Sequence, residues 1–129
     1  MKKLIIYGLI LLTGWACTQQ KEISKSKGST PAVIKDSTEY EITIIDSDFD
    51  RWYMMRFSPA MDRSNDYYRS MNGLGVINWN DYYTHNKYNQ VIGSYINYTS
   101  SVDYGIEVNR RLYWYFRYVE ENFRIRLLR

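Results

Sequence analysis

The chain has 129 residues, enough for one domain and too few for two. Its 17 basic and 14 acidic residues leave a formal charge of +3 with no clustered basic surface in view, which argues against a nucleic-acid partner. One histidine and one cysteine exclude a zinc finger and any disulfide within the chain, so the compositional anomaly is aromatic: 17% of the residues, with 14 tyrosines.

The chain opens M-K-K, followed by the apolar run L-I-I-Y-G-L-I-L-L and then T-G-W-A-C. A basic start, a short apolar core and a small residue before a cut site are the parts of a secretory signal. The run from Leu4 to Leu12 falls well short of the ~20 residues that span a bilayer. Because Cys17 directly follows Ala16, residues 1–16 resemble a bacterial lipoprotein signal, with Cys17 as the acylated first residue of the mature protein. Gly14 stands where the usual motif has Leu, and the competing reading is an ordinary signal cut nearby that leaves a free thiol. Several acyl chains, palmitate among them, anchor a protein firmly where a single chain holds it only marginally. Thr18, where inner-membrane lipoproteins often carry Asp, favours the outer membrane by resemblance to Gram-negative lipoprotein sorting. Without Lys2 and Lys3 the balance is 15 basic against 14 acidic residues, or +1. That near-neutrality predicts partner contact through apolar and aromatic surface, with modest salt dependence.

Residues 17–37 read as a flexible tether rich in Lys, Ser, Gln and Thr, with too few apolar residues to offset chain entropy. Lys21, Lys25 and Lys27 are expected to be solvated. Asp36-Ser37-Thr38 is similar to an acidic-then-hydroxyl motif that some Gram-negative groups glycosylate.

The globular domain is expected over 38–129. Tyr40 to Asp46 alternates apolar and polar residues and predicts a half-buried strand. Asp46-x-Asp48-x-Asp50 has the spacing that opens a calcium loop, but Arg51 replaces the required Gly and Phe57 the closing Glu. Ser47 or Asp48 is instead expected to cap a short helix carrying Phe49, Trp52, Tyr53 and Arg56, ended by Ser58-Pro59. Asn65-Asp66-Tyr67-Tyr68 and Asn80-Asp81-Tyr82-Tyr83 suggest two short helices near 61–72 and 75–86, separated by Met71-Asn72-Gly73-Leu74-Gly75. Val76, Trp79 and Tyr83 form their inward face. His85 has no second imidazole or thiol near it and reads as a surface residue rather than a metal ligand. The stretch from Val91 to Tyr98 fits a strand or a short helix equally.

The strongest element is a long amphipathic helix near 103–122. Val108, Leu112, Tyr115, Phe116, Val119 and Phe123 recur at steps of three and four, and Asp103 is placed to cap it. Arg110, Arg111, Arg117, Glu120 and Glu121 fall on the other face. Arg124 to Leu127 alternates again and predicts a short strand, paired beside Tyr40–Asp46. The fold class is therefore α+β: a small, mostly helical single domain with one short strand pair.

The opening Ser37–Glu41, then F-D-R-W at 49–52, I-N-W-N at 77–80 and D-Y-G-I-E-V-N-R-R-L-Y-W-Y-F at 103–116, together resemble a family of small Gram-negative lipoproteins of unknown function. The likeness covers roughly residues 37–129 and implies an envelope address, with no catalytic residue to carry over. The expected function is a non-enzymatic envelope lipoprotein with an interaction or assembly role, membrane-bound through its anchor and needing no cofactor or metal. The alternative is a polysaccharide-binding module using Trp52, Trp79, Tyr82, Tyr83 and Trp114 as stacking platforms. Core packing is the competing role for each of those rings. Glycoside hydrolysis would need two carboxylates across a cleft, and no spacing in the chain singles out such a pair.

Overall fold

The computed structural model describes residues 30–36 and 39–129. The signal segment 1–16, Cys17, Lys21, Lys25, Lys27 and the Ser37-Thr38 hydroxyls lie outside the described residues. In chain order the elements are β1 (Ala32–Asp36), β2 (Glu39–Thr43), α1 (Ser47–Arg56), a 3₁₀ turn (Pro59–Met61), α2 (Asn65–Thr84) and α3 (Ile106–Phe123).

The strand expected at Tyr40 exists, but its partner is not the one anticipated. β2 pairs antiparallel with β1, Val33 opposite Ile42 and Lys35 opposite Tyr40. Part of the presumed tether is thus a strand, and Val33 packs against the core. Three apolar residues among polar ones are too weak a signal alone; the hairpin partner supplies the missing ladder bonds.

The C-terminal residues form no strand. Their alternation is real, since Ile125 and Leu127 are buried while Arg124 and Arg126 are exposed. Their backbone, however, is bonded to side chains. Asn78 donates to the Leu127 carbonyl at 2.7 Å and Tyr82 to the Arg126 carbonyl at 3.0 Å. Glu120 accepts from the Leu127 and Leu128 N–H groups, each at 2.9 Å. The segment between α2 and α3 is treated alike, so Val91–Tyr98 is neither strand nor helix. Asn80 makes both bonds to Ile96 (2.8 and 2.9 Å), and the Trp79 indole donates to the Ser94 carbonyl at 2.8 Å. Ile92, Ile96 and Tyr98 are then buried.

α1 is capped one residue earlier than expected. Asp46 accepts from the Asp48 and Phe49 N–H groups at 3.0 Å each. Asp48 pairs with Arg51 and Asp50 with Arg111. The three carboxylates of the calcium-like spacing thus have three separate tasks.

The two short helices are one. α2 begins at the Ser64 cap, whose hydroxyl accepts from Tyr67 N–H, and runs unbroken through Gly73 and Gly75. Gly75 is there for space: a Cβ at that position would lie 2.5 Å from the Phe116 ring of α3. Gly73 faces only Ser100, whose Oγ would be 3.2 Å away. Val76 and Trp79 point inward as expected, but Tyr83 is 43% exposed because α2 outruns the core there.

α3 starts at Ile106 behind Gly105, whose φ of +90° and ψ of 154° suit glycine alone. Asp103 is not the cap; it accepts from Gly105 N–H at 2.9 Å and from Asn65 at 3.0 Å, bracing the approach. Val108, Leu112, Tyr115, Phe116 and Val119 are buried, but Phe123 is 45% exposed, lying past the end of the packed stripe. Trp114 and Tyr118 are buried as well, because α1 covers a second side of α3, and Tyr113 is buried against Tyr67 and Tyr68 of α2. Trp52 meets Trp114 at 6.0 Å and Tyr118 at 5.6 Å, and Phe49 sits edge-on to Tyr115 at 5.3 Å.

The two glycines of α2 should respond oppositely to alanine. Each gains ~0.5–1 kcal/mol of helix propensity. At Gly73 the small Ser100 side chain can give way, so Gly73→Ala should be neutral or stabilising. At Gly75 the Phe116 ring must move, and overpacking should cost ~1–3 kcal/mol. Denaturant titration of both variants checks this, with Phe116→Leu expected to relieve part of the Gly75→Ala loss.

Candidate functional site

The exposed side of the α2–α3 packing carries the chain's polar chemistry. Arg110, only 13% exposed at its side chain, holds Asp62 by two bonds, Nε to Oδ1 at 2.9 Å and Nη2 to Oδ2 at 2.6 Å. Tyr68 donates its hydroxyl to Asp62 Oδ1 at 2.7 Å, and Arg63 N–H donates at 3.1 Å. The Arg110 fork and the Tyr68 hydroxyl hold the Asp62 carboxyl down at about 2. Asp62 in turn raises the Arg110 guanidinium further above its ordinary value. Arg110 also reaches Glu107 at 2.8 Å and lies over the Phe57 ring.

Beside this cluster, Tyr67 of α2 and Tyr113 of α3 bring their hydroxyls within 3.5 Å of each other. Arg117, one turn beyond Tyr113, donates to the Tyr113 oxygen at 3.3 Å. The bond to Tyr113, with burial second, pushes the Tyr67 hydroxyl up, so it remains protonated at neutral pH. Two clefts meet at this point. One, of about 430 Å³, is bordered by Tyr67, Met71, Tyr113, Arg117, Glu120 and Glu121, with Leu128 and Arg129 closing it. The other, of about 290 Å³, lies on the far side of Tyr113 and Arg117, against Met61, Asp62, Arg63 and the edge of the otherwise buried Trp114.

The rings singled out by sequence mostly lie elsewhere. Trp52, Trp79 and Trp114 are core residues, and Trp79 is completely enclosed against Tyr115 and Phe116. Tyr82 and Tyr83 sit at the C-terminal end of α2. Tyr82 meets Tyr88 edge-on at 89°, with the Lys87 ammonium over both rings. His85 is at the surface, its Nδ1 2.9 Å from the Asp81 carbonyl. The Tyr67–Tyr113–Arg117 group was not anticipated. Its one local signal is the four-residue step from Tyr113 to Arg117 on a helix face; Tyr67 arrives from 46 positions away.

A buried amide network stands behind the site. Asn109 accepts from the Tyr98 hydroxyl at 2.8 Å and donates to Asn65 at 2.8 Å, while Asn72 donates to the Asn109 carbonyl at 2.8 Å. Burial pushes the Tyr98 hydroxyl up to about 12, keeping it a donor. Among the described residues no group of three or more His, Cys, Asp and Glu side chains could hold a metal ion. Among the same residues no helix is long and apolar enough to cross a membrane.

These features define a small, mostly helical domain with an N-terminal hairpin, built around an aromatic-rich central helix and bearing a tyrosine–arginine cleft. The chain belongs to a family of unknown function (DUF6146), whose profile matches residues 4–129. No curated protein matches it, and no solved structure does.

The Asp62 cluster makes a pH prediction with a definite sign. Its folded pKa of about 2 lies below the ordinary 3.8, so its stabilisation is complete above 3.8 and is lost as pH falls toward 2. The stability difference between the native chain and Asp62→Asn should therefore shrink across that window. Denaturant titrations from pH 7 downward would measure it; a difference constant to pH 2 would contradict the assignment.

Proposed function

We propose that this chain is a non-enzymatic lipoprotein of the bacterial cell envelope, anchored through an acylated Cys17, that acts by holding a partner at the Tyr67–Tyr113 clefts. The anchor rests on sequence: the M-K-K start, the Leu4–Leu12 run and a cysteine directly after Ala16. Thr18 after the cysteine favours the outer membrane.

One observation carries the binding role. The carboxylates bordering the clefts are already engaged: Asp62 with Arg110 and Tyr68, Glu120 with two backbone N–H groups, Glu121 with Arg56. General acid–base catalysis needs a group free to exchange its proton with substrate, and these have structural duties instead. Beside these carboxylates the open volume is lined by tyrosine hydroxyl, guanidinium and apolar side chain, the composition of a recognition surface.

A polysaccharide partner is the weaker reading. Stacking on a sugar needs an open ring face, and the Trp52, Trp79 and Trp114 faces are occupied by core neighbours. Tyr82 and Tyr88, being perpendicular, make no shared platform.

Membrane fractionation and intact mass of the native chain and Cys17→Ala test the anchor. The native protein is expected in the membrane fraction with added acyl mass at Cys17, and the variant soluble or unprocessed. A mature protein without acyl mass would end the lipoprotein reading. A photo-crosslinking residue at position 71 is expected to capture an envelope component in intact cells. Capture from position 83 alone would move the contact to the end of α2.

A further inference from the structure

The arginines of the domain divide into two groups. Arg51, Arg56, Arg69, Arg110 and Arg111 each pair with a carboxylate. Arg63, Arg117, Arg124, Arg126 and Arg129 pair with none among the described residues, and of these Arg63 and Arg117 border one cleft together. Arg63 lies over the Tyr67 ring, its Cζ 5.5 Å from the centroid, and Arg117 donates to Tyr113. Their two tyrosines touch through the hydroxyls. Arg117 is the wall common to both clefts, with Arg63 in one and Arg129 in the other.

We propose that the junction of the two clefts is an oxyanion-binding site, taking the phosphate or carboxylate group of a ligand between Arg117 and Arg63, with a tyrosine hydroxyl as third donor. The proposal rests on the reading of these clefts as the binding site and names the chemistry they select. A guanidinium fork matches two oxygens of a carboxylate or phosphate, and such charge-assisted bonds are the strong ones. The Tyr113 oxygen already accepts from Arg117, so its proton is available to Tyr67 or to a ligand oxygen. Two guanidinium groups lining one cleft repel each other, and an anion between them removes that repulsion. Glu120 and Glu121 act on Arg117 from the larger cleft without a direct ion pair, their hydrogen bonds going to Leu127 and Leu128 and to Arg56. Met71 and Leu128 give the larger cleft an apolar wall for the rest of the ligand.

The test is an NMR titration of the full chain in neutral detergent, following the arginine Nε–Hε signals. Inorganic phosphate and acetate are the probes, at constant ionic strength balanced with chloride. Saturable shifts at Arg63 and Arg117, far larger than at Arg124 and Arg126, are expected with at least one probe. Which probe saturates assigns the oxyanion as tetrahedral or planar. Arg117→Gln should abolish saturation, and Arg117→Lys should weaken it about tenfold, because a point charge replaces the fork. Tyr113→Phe keeps the ring and should weaken binding several-fold through the lost hydroxyl, roughly one hydrogen bond. An unchanged amide spectrum shows that each variant folds. No saturation with either probe, or equal shifts at Arg124 and Arg126, overturns the proposal. If crosslinking from position 71 persists in that case, the clefts bind a neutral partner; loss of both rejects the site altogether.

Discussion

Helices α2 and α3 pack as they do because position 75 has no side chain. With a hydrogen there, the Phe116 ring lies flush on the α2 backbone, and Leu128 closes over the same spot. One turn further along α2, Trp79 drops into the space beside Tyr115 and Phe116. That contact sets the separation of the two axes, and everything borne on their other faces inherits it. Tyr67 and Met71 come from α2, Tyr113 and Arg117 from α3, and a wider crossing would part the two hydroxyls. The cost of glycine in a helix, ~1 kcal/mol, is outweighed by the aromatic surface the close approach buries.

Close packing alone would leave the irregular segments with unpaired backbone. An unsatisfied buried carbonyl or amide costs ~1–3 kcal/mol, and much of the chain after α2 has no helix or sheet to supply partners. Asparagine and glutamate side chains supply them instead. Asn80 stands in for a neighbouring strand at Ile96, and Asn78 and Glu120 do so for the C-terminal residues. Such side chains match backbone bond for bond, which is why extended chain with an alternating pattern can be ordered without a sheet.

The charge distribution has the same logic. A balance near zero suggests a surface indifferent to charge, and salt-insensitive partner contact follows from that premise. The balance conceals a separation: most acidic groups are engaged in caps, ion pairs and backbone bonds, leaving Arg63 and Arg117 on one cleft without an ion-pair partner among the described residues. Net charge is a sum over the surface, whereas recognition depends on what remains unpaired within a few ångströms.

Local periodicity was enough to read α3, its buried Leu112 and Phe116, and the start of α1 to within a residue, because a helix face is written in steps of three and four. It was also enough to see that Ile125 and Leu127 point inward. It could not tell a helix break from a helix contact at Gly73 to Gly75, since the reason for Gly75 is a ring 41 positions later. Nor could it decide which segment pairs with β2: strand partners are chosen by the whole chain, and the C-terminal backbone was already taken by side chains. Trp52, Trp79 and Trp114 look alike as platforms or as core until a second helix is laid over them. The sequence by itself determined the helical character and the aromatic core of the domain. Only the tertiary structure decided where polar groups were left over, because pairing joins residues distant in the chain, and the Tyr67–Tyr113–Arg117 site is made of what that pairing did not use.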